Sequence, residues 1–343
     1  MEKVCILGAG SWGTAQALLL SKNYYQVSLW SRPEEGLESF MATRENKRFL
    51  PGVILPDNVS ITLDLKEAVE NAGMVVLAVP SQGVRETLSK LKPLLHKEMY
   101  LVNTAKGLEL NTGMRMSQVA EDVLGSSIKK RYAILSGPSH AEEVAAELPT
   151  AVTVSAFKKE TAFDIQDAYI SSHFRVYTNP DVAGVEMGGA LKNIVAIASG
   201  IARGLGYGDN TTAAIITRGL NEMIRFGAKL GADPRTLYGL SGLGDLVVTC
   251  GSRHSRNHQA GFLIGQGKTP QTALEKTGMV VEGFYTTQVV YELARTLNVE
   301  MPIVRACYYI LYGNHPPADE VELLMTRRKK HEIEEVVDNV NGW

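Results

Sequence analysis

At 343 residues the chain is too long for one ordinary core, so two domains are expected. Hydrophobic residues make up 45% and charged residues 21%, the balance of an ordinary soluble protein. A formal charge of −2 gives no global attraction for nucleic acid or anionic lipid, so any anion must be caught by a local site. The three cysteines, Cys5, Cys250 and Cys307, are scattered and lack CxxC spacing, which argues against a disulfide framework or a zinc site and for a reducing cytoplasm. No metal site is expected. The chain opens into a short apolar run with no basic segment before it, so neither secretion nor membrane insertion is expected.

Val4 to Leu7 reads as a buried strand, followed at once by Gly8-Ala9-Gly10-Ser11-Trp12-Gly13, a helical pattern and a second strand at Gln26 to Trp30. A dinucleotide-binding unit requires this order. Gly8 permits the tight turn, Gly10 lets backbone approach a pyrophosphate, and Gly13 lets helix and strand pack closely. The helix N-terminus then offers N–H groups to the anion. After the second strand, an acid would bind the ribose 2′-hydroxyl of NAD. The chain instead reads Trp30-Ser31-Arg32-Pro33, with acids only at Glu34 and Glu35, which leans toward the 2′-phosphate of NADP.

Strand and helix patterns then alternate. Further strands read at Met74 to Val79, Leu101 to Thr104 and Ala133 to Ser136, and in an open parallel sheet ligands bind beyond the carboxyl ends of strands. Lys106, the Gly137 backbone and Ser139 all fall at such ends. Two more strand-like runs, Ala151 to Ala156 and Phe174 to Tyr177, flank a polar helix, and from Asp181 to about Val340 the periodicity is helical. The domain boundary is placed near 180. The basic cluster Arg327 to Lys330 reads as a solvated terminal face.

Within the helical half, Gly184 to Gly200 suits a helix that is small or apolar on almost every face, and such a helix belongs in an interior. Lys192 sits in its middle. A helical side chain leans over the residues three and four before it, here Gly189 and Gly188, so the amine is expected to stand over an open notch. Burial disfavours an ammonium and pulls such a lysine toward neutrality. The alternative is a lysine at a helix edge that snorkels to the surface. Two polar islands follow. Leu240 to Leu246 is a glycine-rich turn offering one carboxylate, Asp245, and Ser255-Arg256-Asn257 combines a hydroxyl, a guanidinium and an amide that can surround a phosphate. A cap or loop acid, and a helix start with a solvated arginine, are the alternatives.

These residues resemble the NAD(P)-dependent glycerol-3-phosphate dehydrogenases of bacterial type, nearly end to end. The likeness is carried by GAGSWGTA (8–15), FLPGVILPDNV (49–59), AKGLE (105–109), SGPSHAEE (136–143) and GGALKNIVAIASG (188–200). It continues through GLSGLGDLVVTC (239–250), SRN (255–257), VEGFYTT (281–287) and MPI (301–303). The resemblance implies an α/β fold. A Rossmann-type doubly wound NAD(P)-binding domain, 1–180, precedes an all-α substrate domain, 181–343, like the C-terminal domain of 6-phosphogluconate dehydrogenase. It implies that Ser11, Trp12 and Arg32 contact the cofactor with the turn glycines Gly8, Gly10 and Gly13, and that Ala141, Val280 and Glu282 close over it. Lys106, Gly137, Ser139, Asp245, Ser255, Arg256 and Asn257 are implied to hold sn-glycerol 3-phosphate. Lys106 and Arg256 also reach the cofactor, and Lys192 matches the proton acceptor.

The expected chemistry is reversible hydride transfer at C2 of a three-carbon phosphate, with NADP or NAD as cofactor. Lys192 gives a proton to the ketone oxygen of dihydroxyacetone phosphate and takes it back in reverse. Lys106 assists by lowering the pKa of Lys192 and polarising that oxygen. A homodimer, a cytoplasmic location and a role in supplying glycerol phosphate for phospholipids are implied by the resemblance alone, with no nucleic-acid or membrane partner. The rival readings are a dehydrogenase of the same architecture acting on a hydroxy acid or sugar nucleotide, and a non-catalytic NADP-binding sensor.

Overall fold

The computed structural model describes residues 2–23, 25–32, 38–329 and 332. Pro33, Glu34, Glu35, Lys330 and the end of the helical reading at Val340 lie outside the described residues. Eight strands form one sheet: β1 (Lys3–Leu7), β2 (Gln26–Trp30), β3 (Val59–Thr62), β4 (Met74–Leu77), β5 (Tyr100–Asn103), β6 (Tyr132–Ser136), β7 (Thr150–Ala156) and β8 (Phe174–Asn179). Their spatial order is β3-β2-β1-β4-β5-β6-β7-β8. The order reverses between β1 and β4, so the chain leaves the sheet in opposite directions on either side of that point and opens a crevice there.

Alternate residues of each strand face opposite sides. In β1, Val4 and Ile6 join a cluster with Ala15 and Leu20 of the helix Ser11–Lys22. Cys5 and Leu7 join the opposite cluster, with Val84, Leu88 and Val119. Burial on both faces explains why the central strands read as continuous apolar runs. Two features depart from the sequence expectation. Strand β3 was not anticipated; it is four residues long and pairs only with β2. The sheet is also not wholly parallel, because β7 runs antiparallel to β6. The link from Ser136 to Thr150 holds only the short helix Ala141–Ala145, and an antiparallel return needs no long crossover, whereas a parallel one does.

Beyond β8 every described element is helical. The helix Val182–Gly204 is long and apolar enough to cross a membrane, yet 94% of its apolar window is buried within the protein. It is the axis of the third cluster, with Met187, Leu191, Ile194 and Ile197 packed against Phe226, Leu246 and Ile264. It also crosses the helix Arg256–Gly265 through glycines. A methyl on Gly200 would stand 2.1 Å from the His258 carbonyl oxygen, and one on Gly261 2.2 Å from that of Ile197. Of the terminal basic cluster, Arg327 pairs with Glu300 at the surface.

Candidate active site

The glycine turn after β1 has the backbone geometry its spacing predicts. Gly8 has φ +117°, a left-handed conformation, and a side chain there would meet the Ala78 carbonyl oxygen at 2.7 Å. A Cβ on Gly13 would lie 1.8 Å from the Gly8 carbonyl oxygen, so only glycine lets helix and turn close together. Around Gly10, by contrast, a Cβ would meet nothing within 4 Å. Gly10 is also the N-cap of Ser11–Lys22, and no side chain caps that helix. An open space before a helix N-terminus suits an anion, so these residues fit the pyrophosphate of a dinucleotide. Ser11 and Trp12 are half-buried in the first turn, Trp12 resting on the sheet core. Arg32 is exposed just past β2, within electrostatic reach of Glu86.

On the far side of this crevice, Val280 is exposed and Glu282 begins the helix Glu282–Thr296. The Glu282 carboxylate accepts from the Ser81 N–H at 2.7 Å and from the Ser81 hydroxyl, at the turn following β4. A Cβ on Gly107 would sit 2.5 Å from the Ser81 oxygen and 2.9 Å from a Glu282 oxygen, so the β4 turn, the β5 turn and the helical half meet at one point. Ala141 is buried at the start of the short helix after β6.

The lysines converge on one carboxylate. Lys192 Nζ donates to Asp245 Oδ1 at 2.7 Å and to Thr249 Oγ1 at 2.7 Å. Lys106 Nζ donates to Asp245 Oδ2 at 2.6 Å and to the Gly137 carbonyl at 2.9 Å. Asp245 is 2% exposed and Lys192 6%. Burial pushes the Lys192 amine down, Asp245 resists and Lys106 adds to the fall, leaving it at about 8. Burial would raise the Asp245 carboxyl, but the two ammonium groups hold it below the ordinary carboxylate range. When both lysines are protonated, the trio carries one surplus positive charge in a dry setting, ready to receive negative charge.

The notch beneath Lys192 is not open, contrary to expectation. A methyl on Gly188 would stand 2.5 Å from the Ser241 carbonyl, and one on Gly189 2.9 Å from Ser136 Oγ and 3.3 Å from Lys106 Cγ. The missing side chains admit three neighbouring segments to the helix surface instead. One of them is the π-helical turn Leu240–Gly244, which delivers Asp245.

The remaining predicted residues lie around this cluster. Ser139 Oγ donates to the Gly137 carbonyl at 3.1 Å. Ser255 is buried and caps the helix Arg256–Gly265, accepting from the His258 N–H at 3.2 Å. Its hydroxyl proton remains to donate. Arg256 stands exposed at the head of that helix, with Glu282 and Glu142 as its nearby acids. Asn257 donates to Asn193 Oδ1 at 2.9 Å and accepts from the Gly283 N–H at 2.9 Å. Asn193 in turn donates to the Lys106 carbonyl at 3.0 Å.

Sequence reasoning gave no role to Thr249, Asn193 or Ser81. Thr249 follows Asp245 by four residues, so a shared helix face was available as a signal. Asn193 adjoins Lys192 in the same motif. Ser81 meets its partner across 201 residues and gave no signal.

Residues 3–162 match the family model described as the N-terminus of NAD-dependent glycerol-3-phosphate dehydrogenase, and residues 181–322 match its C-terminus. The chain belongs to this family. Curated relatives named glycerol-3-phosphate dehydrogenase [NAD(P)+] include that of Syntrophomonas wolfei, 61% identical over 343 residues and 100% of both chains. That of Carboxydothermus hydrogenoformans is 52% identical over 96% of this chain and 98% of its own. Among solved structures, the glycerol-3-phosphate dehydrogenase of Coxiella burnetii superposes with a TM-score of 0.91 at 38% identity, covering 95% of this chain and 99% of its own. The two family matches take in both halves of the crevice: the glycine turn and Lys106 in one, Lys192 and Asp245 in the other.

Proposed function

We propose that this member of the glycerol-3-phosphate dehydrogenase family reversibly reduces dihydroxyacetone phosphate to sn-glycerol 3-phosphate with NAD(P)H. The reading rests on one observation above all: two lysines share a buried aspartate where the sheet's carboxyl edge meets the helical half. A bound nicotinamide supplies the hydride at C2, or takes it up in reverse. Protonated Lys192 then hands its proton to the oxygen on which charge grows, and neutral Lys192 takes the hydroxyl proton in the other direction. Lying near 8, its amine exchanges protons readily at working pH. Lys106 polarises the same oxygen, and Asp245 acts through the lysines, since each of its oxygens already accepts from one of them.

Arg256, together with Ser139, Ser255, Asn257 and the Gly137 backbone, holds the phosphate in this reading; a guanidinium fork suits that anion. Gly8, Gly10, Ser11, Trp12, Gly13 and Arg32 hold the dinucleotide, with Lys106, Ala141, Arg256, Val280 and Glu282 facing it. Ser31-Arg32 past β2 supports a preference for NADPH. Residues 1–180 and 181–343 serve as the nucleotide and substrate units. Cytoplasmic action as a homodimer, feeding phospholipid synthesis, completes the proposal.

The test is cofactor oxidation with dihydroxyacetone phosphate, run in parallel with NADH and NADPH. Turnover with this ketone, faster with NADPH, is expected, and Arg256→Ala should mainly raise KM for the phosphorylated substrate. Equal turnover with an unphosphorylated ketone, or an unchanged KM in the variant, would remove the phosphate assignment.

A further inference from the structure

A buried acid lies on the helix that carries Lys192, on a side the proposed chemistry does not use. Glu186 is 5% exposed and stands six residues before Lys192. Its Oε1 accepts from the Ser117 N–H at 2.7 Å and from the Tyr132 hydroxyl at 2.8 Å. Its Oε2 accepts from Ser117 Oγ at 2.7 Å and from Arg115 Nη1 at 2.9 Å. All four donors belong to the sheet half: Tyr132 opens β6, and Arg115 and Ser117 stand at the start of the helix Met116–Leu124. No other charged residue of the helix binds the sheet half in this way, among the described residues. Asn193 does so only through its amide, to the Lys106 carbonyl.

Geometry gives this network a role beyond general stability. Six helical residues rise about 9 Å, so the anchored carboxylate and the amine belong to one short rigid segment. Between them Gly189 presses on Ser136, the last residue of the same strand that Tyr132 opens. Two contacts with β6, one at each end, therefore fix both the height and the rotation of the helix against the sheet. The lysine emerges just past them, where the Gly137 carbonyl holds Lys106. Net burial of an ion pair is weak evidence for stability, and a role in specifying position is the better-attested use of such groups.

We infer that Glu186, clasped by Arg115, Ser117 and Tyr132, is a positioning residue that sets the register of the Lys192 helix on the sheet and so aims the amine at the oxygen that takes up its proton. This rests on the reading of Lys192 as the proton donor. A misplacement of about 1 Å by a distant change costs about 10²-fold where geometry is demanding, so a partial slip should cost around 10-fold.

The experiment is a mutant cycle in the full-length enzyme, following NADPH oxidation by dihydroxyacetone phosphate. Glu186→Gln keeps the shape but places an amide where carboxylate oxygens accept four bonds. It should lower kcat about 10-fold or more with KM for NADPH unchanged, and Tyr132→Phe, which deletes one donor, should lower it less. In a Lys192→Ala background, Glu186→Gln should have no further effect on kcat, because the group it aims is gone. Equal fold-losses in the two backgrounds would show a merely structural role and overturn the inference, as would an unaffected kcat in the single variant. Should Glu186→Gln fail to fold, Tyr132→Phe carries the same cycle alone. A normal rate for Lys192→Ala by itself would instead sink the reading of the lysine.

Discussion

Two regions of this molecule are shaped to receive negative charge, and they do so by opposite means. The glycine turn after β1 offers a vacancy: no side chain at Gly10, no cap on the following helix, and backbone alone to meet an anion. The lysine cluster offers charges already in place, the buried ammonium of Lys192 and the half-buried one of Lys106 held on Asp245. The first costs little in the unliganded fold, because it consists of absent atoms. The second is tightly coupled, since removing Asp245 leaves both lysines without their shared counter-charge.

That contrast is broken most severely at Asp245. Asp245→Asn leaves the buried Lys192 and the half-buried Lys106 with no counter-charge and should cost ~3–5 kcal/mol of stability, read from urea unfolding. It should also move the proton-transfer limb of the pH–rate profile below about 8, because Asp245 raises the Lys192 pKa. An unchanged unfolding midpoint would mean that the cluster is no more coupled than the turn. Lys192→Ala comes next. The protein should fold, and turnover should fall by at least ~10²-fold, as for loss of a general acid or base.

The wild-type pH behaviour carries a definite sign. In the direction that oxidises the alcohol, Lys192 must be neutral, so the rate should rise through about pH 8; ketone reduction needs the protonated amine and should fall through the same pH. For stability, the amine titrates at about 8 when folded against 10.5 ordinarily. Between those values the unfolded chain binds more protons, so stability climbs with pH across that window, while below it the burial penalty is complete. Lys192→Met should flatten that climb in urea titrations at pH 8 and 10, and a slope shared by variant and wild type would count against a dry amine.

The glycine turn supplies a finer comparison. Gly13→Ala drives a methyl into the Gly8 carbonyl and should destabilise by roughly 1–3 kcal/mol. Gly10→Ala meets open space, so its unfolding midpoint should match the wild type. Its dinucleotide affinity should drop about 10-fold, the loss of one charged hydrogen bond of ~1.5 kcal/mol. Equal effects at both positions would erase the distinction between packing and vacancy. Smallest of all, Ser255→Ala should cost ~1 kcal/mol as a lost helix cap.

Legibility follows the same divide. The three glycines of the turn fall within six residues of chain, so their spacing alone assigned each a task. Lys192 and Asp245 could each be singled out, one as a charge in an apolar helix and the other as the lone acid of a glycine-rich turn. Their meeting across 53 residues could not be read from spacing. Ser81 and Glu282 belong to that class too. Glu186 is a different failure. A carboxylate in an otherwise apolar helix was as visible as the lysine six residues on, but its partners come from Arg115, Ser117 and Tyr132, and nothing local names them. Strand β3 escaped because four residues at a sheet edge hardly establish a period, and the reversal of β7 follows a connection whose one helix is only Ala141–Ala145.

The glycine crossing between Val182–Gly204 and Arg256–Gly265 has a bearing on how the enzyme can move. Where main chain rests on main chain with no side chains between, there is nothing to slide or repack. Lys192 and Arg256 must therefore travel as one lever, so that on the proposed roles the spacing between ketone and phosphate is cast into the scaffold.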